Sequence, residues 1–321
     1  MHAIRMRLVA RLALSREYLP CFKYLCAGDL HVALWNHGLT IVLACSALLS
    51  PAVAQTTKPA PIHQVHRMYV FGDSYSDIGE GYLDGNGPTA VAYLAQRLGF
   101  DLVPSNAADI AGKSIDFAIS GAQTGSGLGK QVEGVLLGYG MRNQVDDFAA
   151  KVKSHAIAFD PASTLFYFAG GLNDRNLPSE TTVANLTGEI RTLYDLGARR
   201  FAVALLPTTI PAFSAVGKRL NPVLARIPGD LAPQLAGAEI TLSHWGPFYD
   251  EVMLHPSKYG IENTTDACAG RRIHHEDPTP CASPGTHFYY HSGHPSTATH
   301  KAVGDQLYEE LQHEAEGKPA P

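Results

Sequence analysis

The first residue in this chain with chemistry in it is a serine at the end of an apolar run. Ser74 follows Met68-Tyr69-Val70-Phe71 through Gly72-Asp73. A serine on a strand-to-helix turn has an exposed hydroxyl and a free backbone N–H, so it suits nucleophilic attack and oxyanion binding. Gly72-Asp73-Ser74 carries little weight alone, because such turns are common. Two more polar turns follow apolar runs, Ile119-Ser120-Gly121 and Gly171-Leu172-Asn173. The C-terminal part holds His274, His275, His287, His291, His294 and His300, any of which could serve as a base. Zinc would need three or four converging ligands, and His287, His291 and His294 are the candidates. The stretch Gly125-Ser126-Gly127-Leu128-Gly129-Lys130-Gln131 invites a phosphate-loop reading. That motif needs glycine where this chain has Thr124, and serine or threonine where it has Gln131, so the stretch reads as a loop near the cleft.

Positioning these residues is the task of the surrounding elements. Met68 to Phe71, Leu165 to Ala169, Phe201 to Leu206 and Ala238 to Leu242 are short apolar runs that read as buried strands, with Phe100 to Val103 and Ile115 to Ile119 as weaker ones. Val91 to Leu98, Val145 to Val152, Val183 to Leu196 and Thr297 to Leu311 have helical spacing. Phe213 to Ile227 and Gly229 to Leu235 also read as helical, with Pro222 interrupting the first. Buried strands alternating with helices predict an α/β fold, a central parallel sheet flanked by helices on both faces. In such folds ligands bind beyond the C-terminal strand ends, so three polar turns on one rim can build one site. The predicted organisation is a leader over 1–54, a flexible segment over 55–66, a single domain over 67–313 and a tail over 314–321.

The string Phe71-Gly72-Asp73-Ser74-Tyr75-Ser76-Asp77-Ile78-Gly79 resembles the first block of the GDSL, or SGNH, hydrolase family. The resemblance continues in order. Asn86-Gly87-Pro88 with Tyr93-Leu94-Ala95 is similar to the start of the family's next helix, and Phe117-Ala118-Ile119-Ser120-Gly121-Ala122 to its oxyanion-glycine block. Gly171-Leu172-Asn173-Asp174 and His294-Pro295-Ser296 are similar to the last two blocks. The resemblance implies a three-layer, flavodoxin-like sandwich and a carboxylic-ester hydrolase of esterase, lipase or phospholipase type. It implies Ser74 as nucleophile, His294 as base, and an oxyanion hole from the N–H groups of Ser74 and Gly121 and the amide of Asn173. Nothing in the sequence suggests a cofactor. An acyltransferase using the same site, or a binding protein that kept the fold without the chemistry, are the alternatives. Taken singly these residues have plainer uses: Gly121 in a turn needing positive φ, Asn173 and Asp174 as helix caps, His294 at a helix start.

The chain departs from the family pattern at His291, three residues before His294, where the family carries an aspartate. That acid orients the imidazole and stabilises its charged form. A Ser–His dyad then needs a backbone carbonyl or another carboxylate, with Glu276 and Asp277 as candidates. If position 291 is simply vacant, His291→Asp should not reduce activity. A smaller departure is Asp116, where the family often has asparagine.

The bulk properties fit an exported protein. The chain has 321 residues, is 45% hydrophobic and 17% charged. Residues 39–49 form an apolar run too short to span a bilayer comfortably, followed by Pro51-Ala52-Val53-Ala54, a signal-peptide pattern with cleavage after Ala54. Losing 1–54 removes five basic residues and two acidic ones, which takes the formal net charge from −5 to −8. An acidic chain without a basic stripe is a poor nucleic-acid binder, so the expected partner is a small-molecule or lipid ester. The expected location is secreted or periplasmic, with no membrane span in the mature protein. Cys268 and Cys281 then remain and are expected to pair, which closes a loop worth about 3 kcal/mol.

Overall fold

The computed structural model describes residues 65–316. The expected leader over 1–54 with its cleavage after Ala54, most of the expected flexible segment and the last five residues lie outside the described residues. Strand β1 (Arg67–Gly72) is buried over five of its six residues and runs to the serine turn. Helix α1 (Ala90–Arg97), then β2 (Leu102–Pro104) and β3 (Ser114–Asp116), follow. The glycine-rich stretch, expected as a loop, leads into a hairpin instead, β4 (Leu128–Val132) antiparallel to β5 (Val135–Tyr139). Its two-residue turn takes Glu133 and Gly134 at φ 49° and 82°, the left-handed pair that a tight hairpin needs. Helix α2 (Met141–Lys153), β6 (Thr164–Ala169), α3 (Ser179–Asp195) and β7 (Arg200–Ala204) come next, close to their predicted ranges.

Pro222 does not interrupt the next helix. It sits inside α4 (Ser214–Leu224), and α5 (Ile227–Leu231) is a separate short turn. The side chain of Asn221 exchanges two hydrogen bonds of 2.8 Å with the backbone of Leu206, which anchors α4 to the end of β7. Strand β8 (Glu239–Ser243) completes the sheet, and α6 (Trp245–Leu254) follows. Sequence reading missed α6, whose apolar residues are too dense to show a period. Beyond it lie β9 (Asn263–Ala267), β10 (His287–His291), β11 (His294–Pro295) and the closing helix α7 (Thr297–Glu316), which runs past the predicted 311.

The main sheet has six strands among the described residues, in the order β2-β3-β1-β6-β7-β8, and its strands pair in parallel throughout. Strands β3, β1 and β6 are neighbours, so the three polar turns leave adjacent strands at the same edge of the sheet. The crevice of an open parallel sheet lies where the strand order reverses, which here is at β1. Beneath that edge Phe71 packs on Phe117 and Phe168 at ring distances of 5.4 and 5.3 Å, and on Phe148 at 5.9 Å. Such pairs add about 0.5–1.5 kcal/mol each beyond their buried area, so the floor under the serine turn is stiff. Among the described residues no helix is long and apolar enough to cross a membrane.

Candidate active site

The serine turn is held from several sides. A side chain at Gly72 would meet the Ala169 carbonyl at 2.4 Å, so only glycine lets β1 approach β6 this closely before the serine. Gln144, buried on α2, donates to Gly72 O at 2.9 Å and accepts from Gly72 N at 3.0 Å. Asp77 accepts N–H bonds from Gly79, Gly81, Tyr82 and Ser120, which ties the serine turn to the turn after β3. Asp174 accepts from Thr124 N at 3.1 Å and from the hydroxyls of Thr124 and Thr182, which ties the turn after β6 to the same neighbour. Asp77 and Asp174 are both brackets between turns. Asp116 accepts from Ala118 N at 2.9 Å, its other oxygen is buried without a partner, and burial pushes its carboxyl well up.

Ser74 and His294 are 220 residues apart in the chain, yet Ser74 Oγ lies 2.8 Å from His294 Nε2. Tyr75, fully buried, donates its hydroxyl to Gly293 O at 2.8 Å, so the residue after the serine grips the residue before the histidine. Gly121 takes φ +81°, and a Cβ there would meet Gly138 N at 3.3 Å. Among the described residues neither Ser74 N nor Gly121 N donates to the protein. Asn173 gives one amide hydrogen to Ala122 O at 2.9 Å and has a second to offer. Ser74, Gly121, Asn173 and His294 all line a cleft of about 300 Å³, with Leu137 of the hairpin and Phe213 among its apolar walls. The sequence-derived residues are thus brought together.

The two acids suggested by sequence lie elsewhere. Glu276 accepts from Arg271 N and Asp277 from Thr279 N, and neither has a contact with His294. The carboxylate beside His294 is Asp84, whose Oδ2 lies 3.2 Å from Nε2. Asp84 is 8% exposed. Its Oδ1 lies 2.7 Å from His291 Nδ1, and Arg271 Nε reaches both oxygens at 2.9 and 3.0 Å. Burial alone would raise the Asp84 carboxyl, but the His291 hydrogen bond and the charges of His294 and Arg271 outweigh it and hold it below the ordinary range. Burial pulls the His294 imidazole down to about 4, against the pull of Asp84, so the ring is neutral near pH 7. On the other ring nitrogen, Nδ1 faces Arg271 Nη2 at 2.6 Å and Ser292 O at 3.3 Å. Sequence reasoning missed Asp84, Arg271 and Gln144. Asp84 lies in Leu83-Asp84-Gly85-Asn86, a stretch that looks like an ordinary turn.

Arg271 sits on the loop closed by the Cys268–Cys281 disulfide. His287 points away from the cleft, with Nδ1 2.9 Å from Ser283 O. Among the described residues no three His, Cys, Asp or Glu side chains are grouped to hold a metal ion.

A family model described as GDSL-like lipase/acylhydrolase matches residues 68–307, and the chain belongs to that family. The chain is 23% identical over 296 residues to the thermolabile hemolysin of Vibrio parahaemolyticus, a match covering 79% of this chain. It spans 65% of the hemolysin's length, under two thirds of that relative. It is 22% identical over 276 residues to a GDSL esterase/lipase of Arabidopsis thaliana, covering 70% of this chain and 75% of that one. Among solved structures it is similar to a member of the lipolytic G-D-S-L family from Veillonella parvula, at TM-score 0.41 and 12% identity, covering 74% of this chain and 94% of that one. It is also similar to the aryl esterase of M. smegmatis, at TM-score 0.38 and 14% identity, covering 77% and 98%.

Proposed function

We propose that this protein is a serine carboxylic-ester hydrolase working through an acyl-enzyme on Ser74. His294 Nε2 takes the Ser74 proton as Oγ attacks the ester carbonyl. The developing oxyanion is received by the N–H groups of Ser74 and Gly121 and by the Asn173 amide. His294 then gives its proton to the leaving alcohol, and water resolves the acyl-enzyme by the same steps. The observation that carries this reading is the 2.8 Å contact of Ser74 Oγ with His294 Nε2, beside two backbone N–H groups left unused by the protein.

A dyad needs something to hold the proton on Nδ1 so that Nε2 is free to accept. Ser292 O, 3.3 Å from Nδ1, is the acceptor available for it. The substrate is a small-molecule or lipid ester. The disulfide supports an exported protein, because such bonds persist in oxidising compartments. The deciding assay is hydrolysis of p-nitrophenyl esters of short and long chains by wild type and Ser74→Ala. Wild-type turnover with loss by about 10,000-fold or more in Ser74→Ala is expected. Equal rates for the two proteins would refute the reading.

A further inference from the structure

We propose that Asp84 is the carboxylate that balances the charge on His294 during turnover, and that His291, standing where the family carries that acid, holds Asp84 in place instead. The inference rests on the ester-hydrolase reading above and deepens it. Asp84 acts through the His294 ring, 3.2 Å away, and is in that sense a positioning residue.

The Asp84 segment is pinned at both ends. Upstream, Asp77 fixes the N–H groups of Gly79, Gly81 and Tyr82. Downstream, Asn86 Oδ1 accepts from Thr297 N at 2.8 Å, and Thr297 Oγ1 donates to Pro88 O at 3.1 Å. The same three-residue turn of chain that carries His294 therefore anchors the segment that carries Asp84. The carboxylate is then aimed by His291 and Arg271, both mostly buried. A carboxylate fixed in this way needs no reorganisation when charge appears beside it.

With the imidazole neutral, two donors cannot meet at Nδ1. When Arg271 Nη2 donates to Nδ1, the ring proton lies on Nε2, between Asp84 Oδ2 and Ser74 Oγ. When the ring proton lies on Nδ1 and is given to Ser292 O, Arg271 Nη2 must draw back from Nδ1, where it now lies at 2.6 Å, and keep only its bond to that carbonyl. Only this second form can accept the Ser74 proton. As the Oγ–carbon bond forms, that proton moves to Nε2 and the ring becomes a cation 3.2 Å from Asp84. Asp84 interacts with a dipole before this step and with a full charge after it. Its effect therefore grows toward the transition state, which is the condition for faster turnover. The other groups facing His294 supply no negative charge: Arg271 is cationic, His291 is bound to Asp84, and burial keeps both His300, lowered to about 3, and Tyr75, raised well above its ordinary value, neutral near pH 7.

The test compares wild type with Asp84→Asn and Asp84→Ser, each checked for folding by its thermal melt, in a p-nitrophenyl ester assay over a range of pH. Two variants that remove the same charge guard against one failing to fold. Loss of the acid in a full triad costs about 10,000-fold, partly through the wrong tautomer; here Ser292 O holds the tautomer, so kcat should fall by about 100-fold. The acid limb of kcat/KM, near pH 4 in wild type, should move to lower pH, because Asp84 raises the affinity of His294 for a proton. Asp84→Glu, which keeps the charge, should recover part of kcat. A kcat within about threefold of wild type and an unmoved acid limb would overturn the inference. If wild type itself shows no Ser74-dependent turnover, it is the hydrolase reading that fails.

Discussion

His291→Asp is the substitution that separates a vacant acid position from an occupied one. If position 291 were simply vacant, as sequence alone allows, the substitution should not reduce esterase activity. The structure reverses the sign, because His291 Nδ1 lies 2.7 Å from Asp84 Oδ1 and its side chain is only 6% exposed. A carboxylate at 291 would face that of Asp84 at about 4 Å, where like charges repel by about 4 kcal/mol at an effective dielectric constant near 20. Arg271, already shared with Asp84, offsets part of this, which leaves about 2 kcal/mol. The pair can relieve the repulsion by binding a proton, so one of its two carboxyls titrates higher in the folded protein than in the unfolded chain. A folded value raised in this way gives stability that is present at low pH and lost as pH rises. At 2–4 °C per kcal/mol for a domain of this size, His291→Asp should melt about 4–8 °C below wild type at pH 8, with the gap narrowing at pH 5. His291→Asn, which keeps a neutral donor, should show a small loss without that pH dependence. In an Asp84→Asn background only one carboxylate remains, and His291→Asp should then cost nothing, a coupling of about 2 kcal/mol in the double-mutant cycle. A His291→Asp protein that melts with wild type at pH 8 would refute the reasoning and restore the vacant-position reading.

Four further outcomes are expected. Asn173→Ala should lower kcat by about 100- to 1,000-fold, read in steady-state kinetics, while KM moves little. Gly121→Ala should lose both stability and turnover, since φ +81° strains any side chain there; a melt and a rate measured on the same sample check it. Asp73 is raised to about 7 by burial, so its stabilising contribution is full below about pH 4 and is lost as pH rises through 7. Asp73→Asn should remove this one contribution from the pH slope of urea-melt stability, read as a difference from wild type, while Asp116, Glu189 and Glu314, which burial also raises, keep theirs. Replacing Cys268 and Cys281 by serine should cost about 3 kcal/mol in denaturant melts. It should also lower turnover more than the stability loss explains, because the closed loop carries Arg271.

The legible parts of the sequence were those that a short stretch of chain can specify by itself. Apolar runs ending in polar turns located β1, β6 and β7, because a strand buried on both faces has no other composition open to it. The four motif blocks singled out Ser74, Gly121, Asn173 and His294, which the fold brings to one cleft. The hairpin of β4 and β5 was hidden because its glycines resemble a loop and its turn is Glu133-Gly134 rather than Asn-Gly. Helix α6 was hidden by its own hydrophobicity. Gln144 lies just before the predicted helix range of Val145 to Val152, and only the fold shows it buried against Gly72.

Asp84 was illegible for a deeper reason. An oxyanion donor must be a backbone N–H or an amide at one spot, so its position in the chain is fixed by the strand that presents it. A charge that balances an imidazolium has no such requirement. Any carboxylate held within about 4 Å, in a place screened from water, does the same electrostatic work. The acid is therefore the member of the site whose place in the sequence is least constrained. Here it stands 210 residues from the histidine it faces, on a segment fixed by Asp77 and Asn86 for reasons of folding. An aspartate missing from its usual offset is then weak ground for inferring lost activity. What bears on activity is whether another buried carboxylate reaches the ring and whether a neutral or cationic residue at the old position supports it. His291 meets the second condition and Asp84 the first, so the apparent defect at position 291 and the unexpected acid at position 84 are two halves of one substitution.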